Sequence, residues 1–346
     1  MKNSILESRR QLNFAIISLG FSSFLRSSNK SFLDDTKRIQ LSLKAGQPLY
    51  LNRVYYINED IVIPSNSIIY GKGVFKSLKN IKIILQGTNI YIKGVTFDFS
   101  KGGTIIGKNL KNIFFLQCNF NNSSNSSGII LKKSKNIYFK NCSANYNIKK
   151  GIYLVEVENT HILKGTYSFN KHFGLFVSQG KNIKIIKNKA FKNGLNKKFS
   201  GIVGTRIENL ISQANITYEN EEHGESYQGV NNFIIDNFVS YKNGASGLCL
   251  QSDKILKDNQ KLIIPSANGI IIRGESFLNK RNGIVIKEKN YNIKIIKNKC
   301  YKNSIGMRFV DIGQSKLKSI NIFLKDNEIV NNRINYINSN KSIIKK

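Results

Sequence analysis

The stretch Asn182–Phe191, NIKIIKNKAF, returns almost unchanged as Asn292–Tyr301, NIKIIKNKCY. Within each copy, apolar and polar residues alternate as they do in a β-strand that has one buried and one exposed side. Asparagine, a residue typical of turns, separates the short runs. Two copies this similar predict a chain built from a repeated β-rich unit.

Two markers give the length of this unit. The separations between successive strand starts are 23, 23, 27, 46, 36 and 23 residues, and a second small or amide position recurs in phase with them. A period near 23 with three short β-rich runs predicts an all-β fold, a right-handed parallel β-helix of about ten coils. The strand starts, each a glycine followed by apolar residues, are Gly128, Gly151, Gly174, Gly201, Gly247, Gly283 and Gly306.

The spacing also predicts the domain organisation. Residues 32–79 are expected to form an N-terminal cap and first coil, with a short capping helix that starts at Asp34 or Asp35. Residues 80–346 are expected to form the β-helix. The two long intervals predict long loops at 206–230 and 251–267, which would form a wall beside a groove.

The first 31 residues differ from the repeat. A pair of arginines in Ser8-Arg9-Arg10 precedes a moderately apolar run that ends near Phe21. This form predicts a twin-arginine-type export signal peptide over residues 1–31, and hence a periplasmic or secreted bacterial protein. The alternative is a buried N-terminal helix. No later segment is long and apolar enough to predict a membrane span.

The charge indicates an anionic partner. The chain has 54 Lys plus Arg against 21 Asp plus Glu, a formal net charge of +33. Such a surface suits an acidic polysaccharide, a nucleic acid or an anionic membrane. The lysines are spread along the whole chain, which makes nucleic acid the less favoured partner. An alternative is that they only solvate the outer face. Four cysteines without a Cys-x-x-Cys pair predict neither a disulfide scaffold nor a zinc site.

Two segments carry a resemblance to a known family. Asp34–Gly73 and Asn89–Ser100 resemble the opening and the first coils of proteins of the pectate-lyase-like superfamily. The resemblance implies a parallel β-helix that acts on or binds a polysaccharide. It does not specify the reaction, because one fold hosts many functions.

The first predicted loop contains a cluster of ionisable residues, Glu219–Tyr227. Crowded carboxyl groups beside a histidine have the chemistry of an acid/base site. A uronate lyase or C5-epimerase needs a cation, a base and an acid. We therefore predict Arg206 as the neutralising cation, His223 as the base and Tyr227 or Tyr153 as the acid. We include Glu222 and Glu225 in the catalytic set. A solvated polar loop and a calcium site are the alternatives; no other cofactor is expected.

Four further residues are predicted to bind substrate: Tyr153, His172, Phe176 and Lys254. His172 precedes a strand at a place similar to that of a histidine in polygalacturonase-like hydrolases. Those enzymes also carry aspartates before neighbouring strands, where this chain has Lys149-Lys150, Phe199-Ser200 and Ala245-Ser246. The departure argues against a paired-carboxylate hydrolase.

Two functions remain open. The chain is a lyase or C5-epimerase of an acidic polysaccharide, or a non-catalytic module that binds a glycan or the cell wall. A tailspike-type depolymerase fits less well with an export signal. The oligomeric state is not predicted.

Overall fold

The computed structural model describes residues 34–195, 198–257, 260–310, 320–338 and 343–345. The predicted signal peptide, residues 1–31, lies outside this part of the chain. The described residues form a solenoid in which each β-strand pairs in parallel with the equivalent strand of the next coil. In the described residues no helix is both long and apolar enough to cross a membrane.

Each coil contributes strands to two sheets. The twelve-stranded sheet consists of β2 (Val54–Ile57), β5 (Val74–Ser77), β8 (Thr96–Asp98), β11 (Asn119–Asn121), β13 (Ser143–Asn145), β15 (Thr166–Ser168), β17 (Lys189–Phe191), β19 (Ile216–Tyr218), β22 (Val239–Tyr241), β27 (Glu275–Phe277), β30 (Lys299–Tyr301) and β33 (Glu328–Val330).

The larger sheet has 21 strands and covers the other two faces. It consists of β1 (Leu49–Leu51), β3 (Ile61–Ile63), β4 (Ile68–Gly71), β6 (Ile81–Leu85), β7 (Thr88–Lys93), β9 (Gly103–Lys108), β10 (Lys111–Leu116), β12 (Ile129–Lys140), β14 (Ile152–Leu163), β16 (Leu175–Ile186), β18 (Ile202–Gln213), β20 (Glu225–Gln228), β21 (Asn231–Asp236), β23 (Leu248–Gln251), β26 (Ser266–Ile272), β28 (Asn282–Lys287), β29 (Asn290–Ile296), β31 (Ile305–Val310), β32 (Ile320–Lys325), β34 (Ile334–Asn338) and β35 (Ile343–Lys345).

The four longest strands, β12, β14, β16 and β18, turn a corner between the two faces of this sheet. At the corner Lys133, Glu156, Gln179 and Arg206 have φ angles of 48° to 55°. We call the part before the corner the glycine face. It consists of residues 129–132, 152–155, 175–178 and 202–205 with β20, β23, β28 and β31. The part after the corner is the asparagine face: residues 135–140, 158–163, 181–186 and 208–213 with β21, β26, β29 and β32.

The interior is filled by columns of apolar side chains, one from each coil. On the glycine face Ile152, Leu175, Ile202, Leu248 and Ile284 occupy one such column, and each is at most 1% exposed. Burial of one such side chain contributes about 1.5–3 kcal/mol. The alternation of inward and outward residues therefore fixes the register of each strand on the next.

Buried asparagines stack in the turn that precedes the glycine face. The side-chain amide of Asn170 donates to Asn193 Oδ1 (2.9 Å), and the amide of Asn193 donates to Asn220 Oδ1 (3.0 Å). The same amides also donate to backbone carbonyls, so the buried polar groups of the turn are satisfied. The ladder contains Asn147, Asn170, Asn193, Asn220, Asn243, Asn279, Asn303 and Asn332.

A short helix, α1 (Thr36–Lys44), covers the first coil and buries Ile39 and Leu43. The Gln40 side-chain amide donates to the Val62 carbonyl (3.0 Å) and accepts from the Val62 N–H (2.8 Å). Gln40 thus supplies the hydrogen bonds that a preceding strand would give to β3. The predicted capping helix is confirmed, and the Thr36 N–H donates to Asp34 Oδ1 at its start.

The predicted long loop at 206–230 is wrong. Gly224 directly precedes β20, which pairs in parallel with β18 and with β23. The 46 residues from Gly201 to Gly247 therefore hold two coils of 23. The start at Gly224 lacks the apolar pattern because Glu225 occupies the inward position that is isoleucine or leucine in neighbouring coils.

The other predicted loop, 251–267, contains a hairpin. β24 (Asp253–Lys257) and β25 (Gln260–Ile264) pair antiparallel, with Asp253 opposite Ile264. The hairpin leaves the solenoid between the glycine and asparagine faces, so it adds residues to one coil without shifting the register of the next.

Candidate functional site

The outward side chains of the glycine face form two columns, and the first outward position after each strand-start glycine gives one of them. In coil order this column contains Tyr153, Phe176, Val203, Ser226, Cys249, Val285 and Arg308. The first two are aromatic, the next four are small, and the last is cationic. This face therefore differs in chemistry along the solenoid axis.

A cleft opens at the cationic end. Its volume is ≈ 250 Å³, and three cations contributed by two neighbouring coils line it together with His223 and Ser246. We call it the cationic cleft, and its lining residues are His223, Ser246, Arg281, Asn282, Val285, Lys287, Arg308 and Val310.

The charges of Arg281 and Lys287 act on one nearby carboxylate, that of Glu222, without a contact close enough to be an ion pair. Within the described residues, none of Arg281, Lys287 and Arg308 forms an ion pair, and Arg308 Nε is buried without a hydrogen-bond partner. Lys287 and Arg308 are half-buried and Arg281 is exposed, and half-buried cations are normally paired. The cleft therefore favours an anion, and guanidinium groups bind carboxylates well because their N–H groups match the two oxygens.

His223 lines the cleft, and a hydrogen bond fixes which ring nitrogen carries its proton. The N–H of Ser246 donates to His223 Nδ1 (3.2 Å), so the neutral imidazole carries its proton on Nε2. Burial, together with the charges of Lys287 and Arg281, lowers the pKa of His223 to about 3. The imidazole is therefore neutral at physiological pH and offers a hydrogen-bond donor. This geometry does not suit the predicted role of His223 as a base.

Glu222 is the carboxylate nearest to this imidazole, with Oε1 at 3.8 Å from His223 Nε2. Burial raises the pKa of Glu222, while a hydrogen bond from Ser200 (3.1 Å) and nearby cations oppose the rise. A half-buried carboxylate with a raised pKa beside an anion-binding cleft has the properties of a general base.

Glu225 and Tyr227 do not belong to the surface site, contrary to the sequence-based prediction. Both are fully buried because their positions on β20 point into the solenoid. Glu225 Oε2 accepts from the Tyr227 hydroxyl (2.7 Å) and from the Ser212 hydroxyl (2.9 Å), while its Oε1 has no partner. The ring of Tyr227 fits there because Gly204 on the preceding coil has no side chain.

The Glu225→Gln substitution is expected to stabilise the protein at neutral pH. Burial raises the pKa of Glu225 above 4.5, so the folded state holds a proton that the unfolded state releases. This linkage lowers the stability of the natural protein as the pH rises above 4.5 through the folded-state pKa. Glutamine resembles the protonated acid and does not titrate.

The free energy of urea-induced unfolding of both proteins, measured from pH 4.5 to 8, tests this expectation. The advantage of the variant should grow with pH. The exposed Glu208→Gln change serves as the control and should show no such growth. A Glu225→Gln protein that is less stable than the natural one at pH 8 would contradict the assignment.

Arg206 lies beside the hairpin, and Lys254 belongs to it. Arg206 Nε lies 3.1 Å from Asp253 Oδ2, and Lys254 forms an ion pair with Glu288. Both cations are therefore paired with protein carboxylates. They hold the hairpin against the solenoid and are less suited than the cleft to bind a substrate carboxylate.

The predicted substrate-binding residues Tyr153, His172 and Phe176 lie together with two further rings, those of Phe173 and Phe199. His172 stacks on Phe199 (4.3 Å between centroids), and Phe173 contacts both Phe176 (5.1 Å) and Phe199 (4.8 Å). All five rings are half-buried on the outer surface. We call them the aromatic cluster. Predicted residue Lys254 lies outside it.

Sequence reasoning missed Ser246, Arg281, Lys287 and Arg308. They come from three coils, and the chain separates Ser246 from Arg308 by 62 residues. Alignment of all coils on the residues before and after each starting glycine would have placed them near His223. In the described residues no three His, Cys, Asp or Glu side chains are grouped to hold a metal.

The family model "Right handed beta helix region" matches residues 54–216. The right-handed parallel β-helix predicted from the repeat is thereby confirmed. Comparison with curated protein sequences gives no match.

Several solved structures share the fold. The A-module of mannuronan C-5 epimerase AlgE4 from Azotobacter vinelandii is 14% identical, with 91% of this chain and 96% of that chain covered and a TM-score of 0.76. The periplasmic alginate epimerase AlgG is 15% identical, with 84% and 77% covered and a TM-score of 0.62. The Dettilon tailspike protein is 14% identical, with 87% and 60% covered and a TM-score of 0.58. At such identities the similarity establishes the fold alone.

Proposed function

We propose that this protein binds an acidic polysaccharide along the glycine face and acts on it as a uronate C5-epimerase or lyase. The observation that carries the proposal is the cationic cleft, where Arg281, Lys287 and Arg308 converge from two neighbouring coils and form no close ion pair among the described residues. The structural neighbours, which include alginate epimerases, support an acidic-polysaccharide ligand. The predicted export signal fits a polymer met outside the cytoplasm.

In this proposal the cleft binds the uronate carboxylate, and Glu222 removes the proton from the adjacent C5. The C–H electron pair passes into the carboxylate, whose developing charge the three cations stabilise. The Nε2–H of His223 donates a hydrogen bond in the same place. When the electron pair returns to C5 and takes a proton from water on the opposite face, the epimer forms. Departure of the C4 oxygen with its bonding electrons, followed by its protonation by water, gives an unsaturated uronate.

The second candidate function is a non-catalytic module that holds the same polymer. The fixed proton of His223 favours it, because an imidazole whose Nδ1 is occupied and whose pKa is about 3 is a poor shuttle for protons. The cationic cleft and the aromatic cluster would serve binding equally well without turnover.

Incubation of the purified full-length protein with alginate, polygalacturonate and glycosaminoglycans separates the two functions. Ultraviolet absorbance reports unsaturated products, and proton NMR reports epimers. Either product supports the enzyme. Binding without any new bond or epimer supports the module, and absence of binding to every uronate polymer refutes both.

The Arg308→Ala substitution is expected to weaken the binding of uronate oligomers by about ten- to hundredfold, because a hydrogen bond to a charged group is worth about 1.5–3 kcal/mol. Isothermal titration calorimetry measures the change. Arg38→Ala, which removes an exposed arginine of α1 at the other end of the solenoid, is the control and should leave the affinity unchanged. Equal affinity of the Arg308→Ala and natural proteins would exclude the cleft as the carboxylate site.

A further inference from the structure

The aromatic cluster lies on the same face as the cationic cleft but several coils away. Phe176 and Arg308 occupy the same outward column and are five coil steps apart. At ~4.8 Å a step the separation is roughly 24 Å. A single sugar residue cannot span this distance, whereas a polymer lying along the solenoid axis can.

A lysine accompanies the rings. Lys150 Nζ lies 4.0 Å from the centroid of the Tyr153 ring and 5.2 Å from that of Phe176. In the part of the chain that the structure describes, Lys150 has no carboxylate partner, and the exposed Lys149 is its neighbour. Burial, with the charge of Lys149, lowers the pKa of Lys150. An anion at this point would relieve the repulsion between the two ammonium groups.

The rings of the aromatic cluster would bind a ligand that has an apolar face. Five half-buried rings form a patch on a surface whose lysine content is otherwise high, and rings in such patches commonly contact ligands. A pyranose presents a face of C–H bonds to an aromatic ring and its substituents to the sides. An acidic pyranose would place its carboxylate within reach of Lys150 while its C–H face covers Tyr153 or Phe176.

We propose that the aromatic cluster with Lys150 is a second uronate subsite, which binds a residue of the same polymer that occupies the cationic cleft. This inference rests on the proposed function, since it takes the same ligand class. It adds that recognition depends on chain length. A polymer that bridges both subsites gains from the high effective concentration of its second end, whereas a disaccharide occupies one subsite at a time.

Calorimetric titration of the full-length protein with a uronate disaccharide and with uronate oligomers long enough to span roughly 24 Å tests the proposal. The long oligomer should bind the natural protein at least about tenfold more tightly than the disaccharide. Phe176→Ala and Lys150→Gln should each remove most of this advantage. Phe114→Ala, which removes a 38% exposed ring on the asparagine face, is the matched control and should preserve it.

The outcomes separate the two proposals. If the disaccharide binds and the length advantage survives both Phe176→Ala and Lys150→Gln, the second subsite is refuted and the cleft stands. If a neutral oligosaccharide of equal length binds as tightly as the uronate, the cluster does not select acidic sugars and the proposal also fails. If the natural protein binds no uronate of any length, the proposed function itself is wrong. Lys150→Gln changes a surface lysine, so the test does not depend on Phe176→Ala folding normally.

Discussion

Replacement of Asn193 by alanine should lower the free energy of unfolding by about 3 kcal/mol or more. The Asn193 amide donates to the carbonyls of Tyr167 (2.9 Å) and Phe191 (3.1 Å) and to Asn220 Oδ1 (3.0 Å), and its oxygen accepts from the backbone and side chain of Asn170. Alanine leaves several of these buried groups unsatisfied, at about 1–3 kcal/mol each. Urea-induced unfolding followed by circular dichroism measures the loss.

A second asparagine ladder supplies the control. The Asn182 amide donates to Asn159 Oδ1 (2.8 Å) in an exposed ladder, at a backbone φ of 55°. Asn182→Gly keeps that conformation free of strain. It removes this hydrogen bond and the one that Asn182 Oδ1 accepts from the Asn209 amide (2.7 Å), and neither is fully buried. We expect it to cost about 1 kcal/mol or less. Comparable losses for the two variants would show that the buried ladder is not a special source of stability.

If the protein is an enzyme, Glu222→Gln should reduce turnover about 10²- to 10⁴-fold, the usual contribution of a general base. Binding of the polymer should change little, because the three cations of the cleft remain. Because the pKa of Glu222 is raised above 4.5, activity of the natural protein should fall as the pH is lowered through that raised pKa. Epimer formation followed by NMR over a range of pH measures both effects.

The neighbouring carboxylate provides the matched control. Glu221 is exposed and lies one position from Glu222, so Glu221→Gln makes the same change of charge outside the cleft. Its turnover and pH profile should match those of the natural protein. Full turnover by Glu222→Gln, or an equal loss in both variants, would remove Glu222 from the mechanism.

The fold could be predicted from the sequence because its determinants are local and repeated. The copies at Asn182–Phe191 and Asn292–Tyr301 occupy equivalent strands of the structure, and alternation within each run shows which side chains face inward. Neither inference needs knowledge of distant contacts. The structure keeps the 23-residue period and the capping helix, with slightly more coils than the ten expected.

The site was harder to predict, for a reason that lies in one residue. Glu225 occupies an inward position that is apolar in neighbouring coils, so Gly224 did not stand out as a strand start. A whole coil was therefore interpreted as a loop. The residues of that loop were assumed to share a solvent-filled groove, although alternate side chains of β20 point into the core. Glu222 and His223 precede the strand, and Glu222 Oε1 lies 3.8 Å from His223 Nε2.

The cations of the cleft carry no local signal. In a chain with 54 Lys plus Arg, nothing in the sequence around Arg281, Lys287 or Arg308 distinguishes them from residues that solvate the surface. Their distinction lies in their convergence on one cleft from two neighbouring coils, and only the packed coils show it.

The hydrogen bonds of the Gln40 side-chain amide affect how readily the protein can start a fibril. Strand-by-strand growth of a fibril requires an edge whose N–H and C=O groups are free to recruit another chain. At Val62 both groups are already bonded to Gln40, so a chain approaching β3 there would have to displace α1 first. A single side chain thus makes the beginning of the solenoid a poor template for amyloid-like addition.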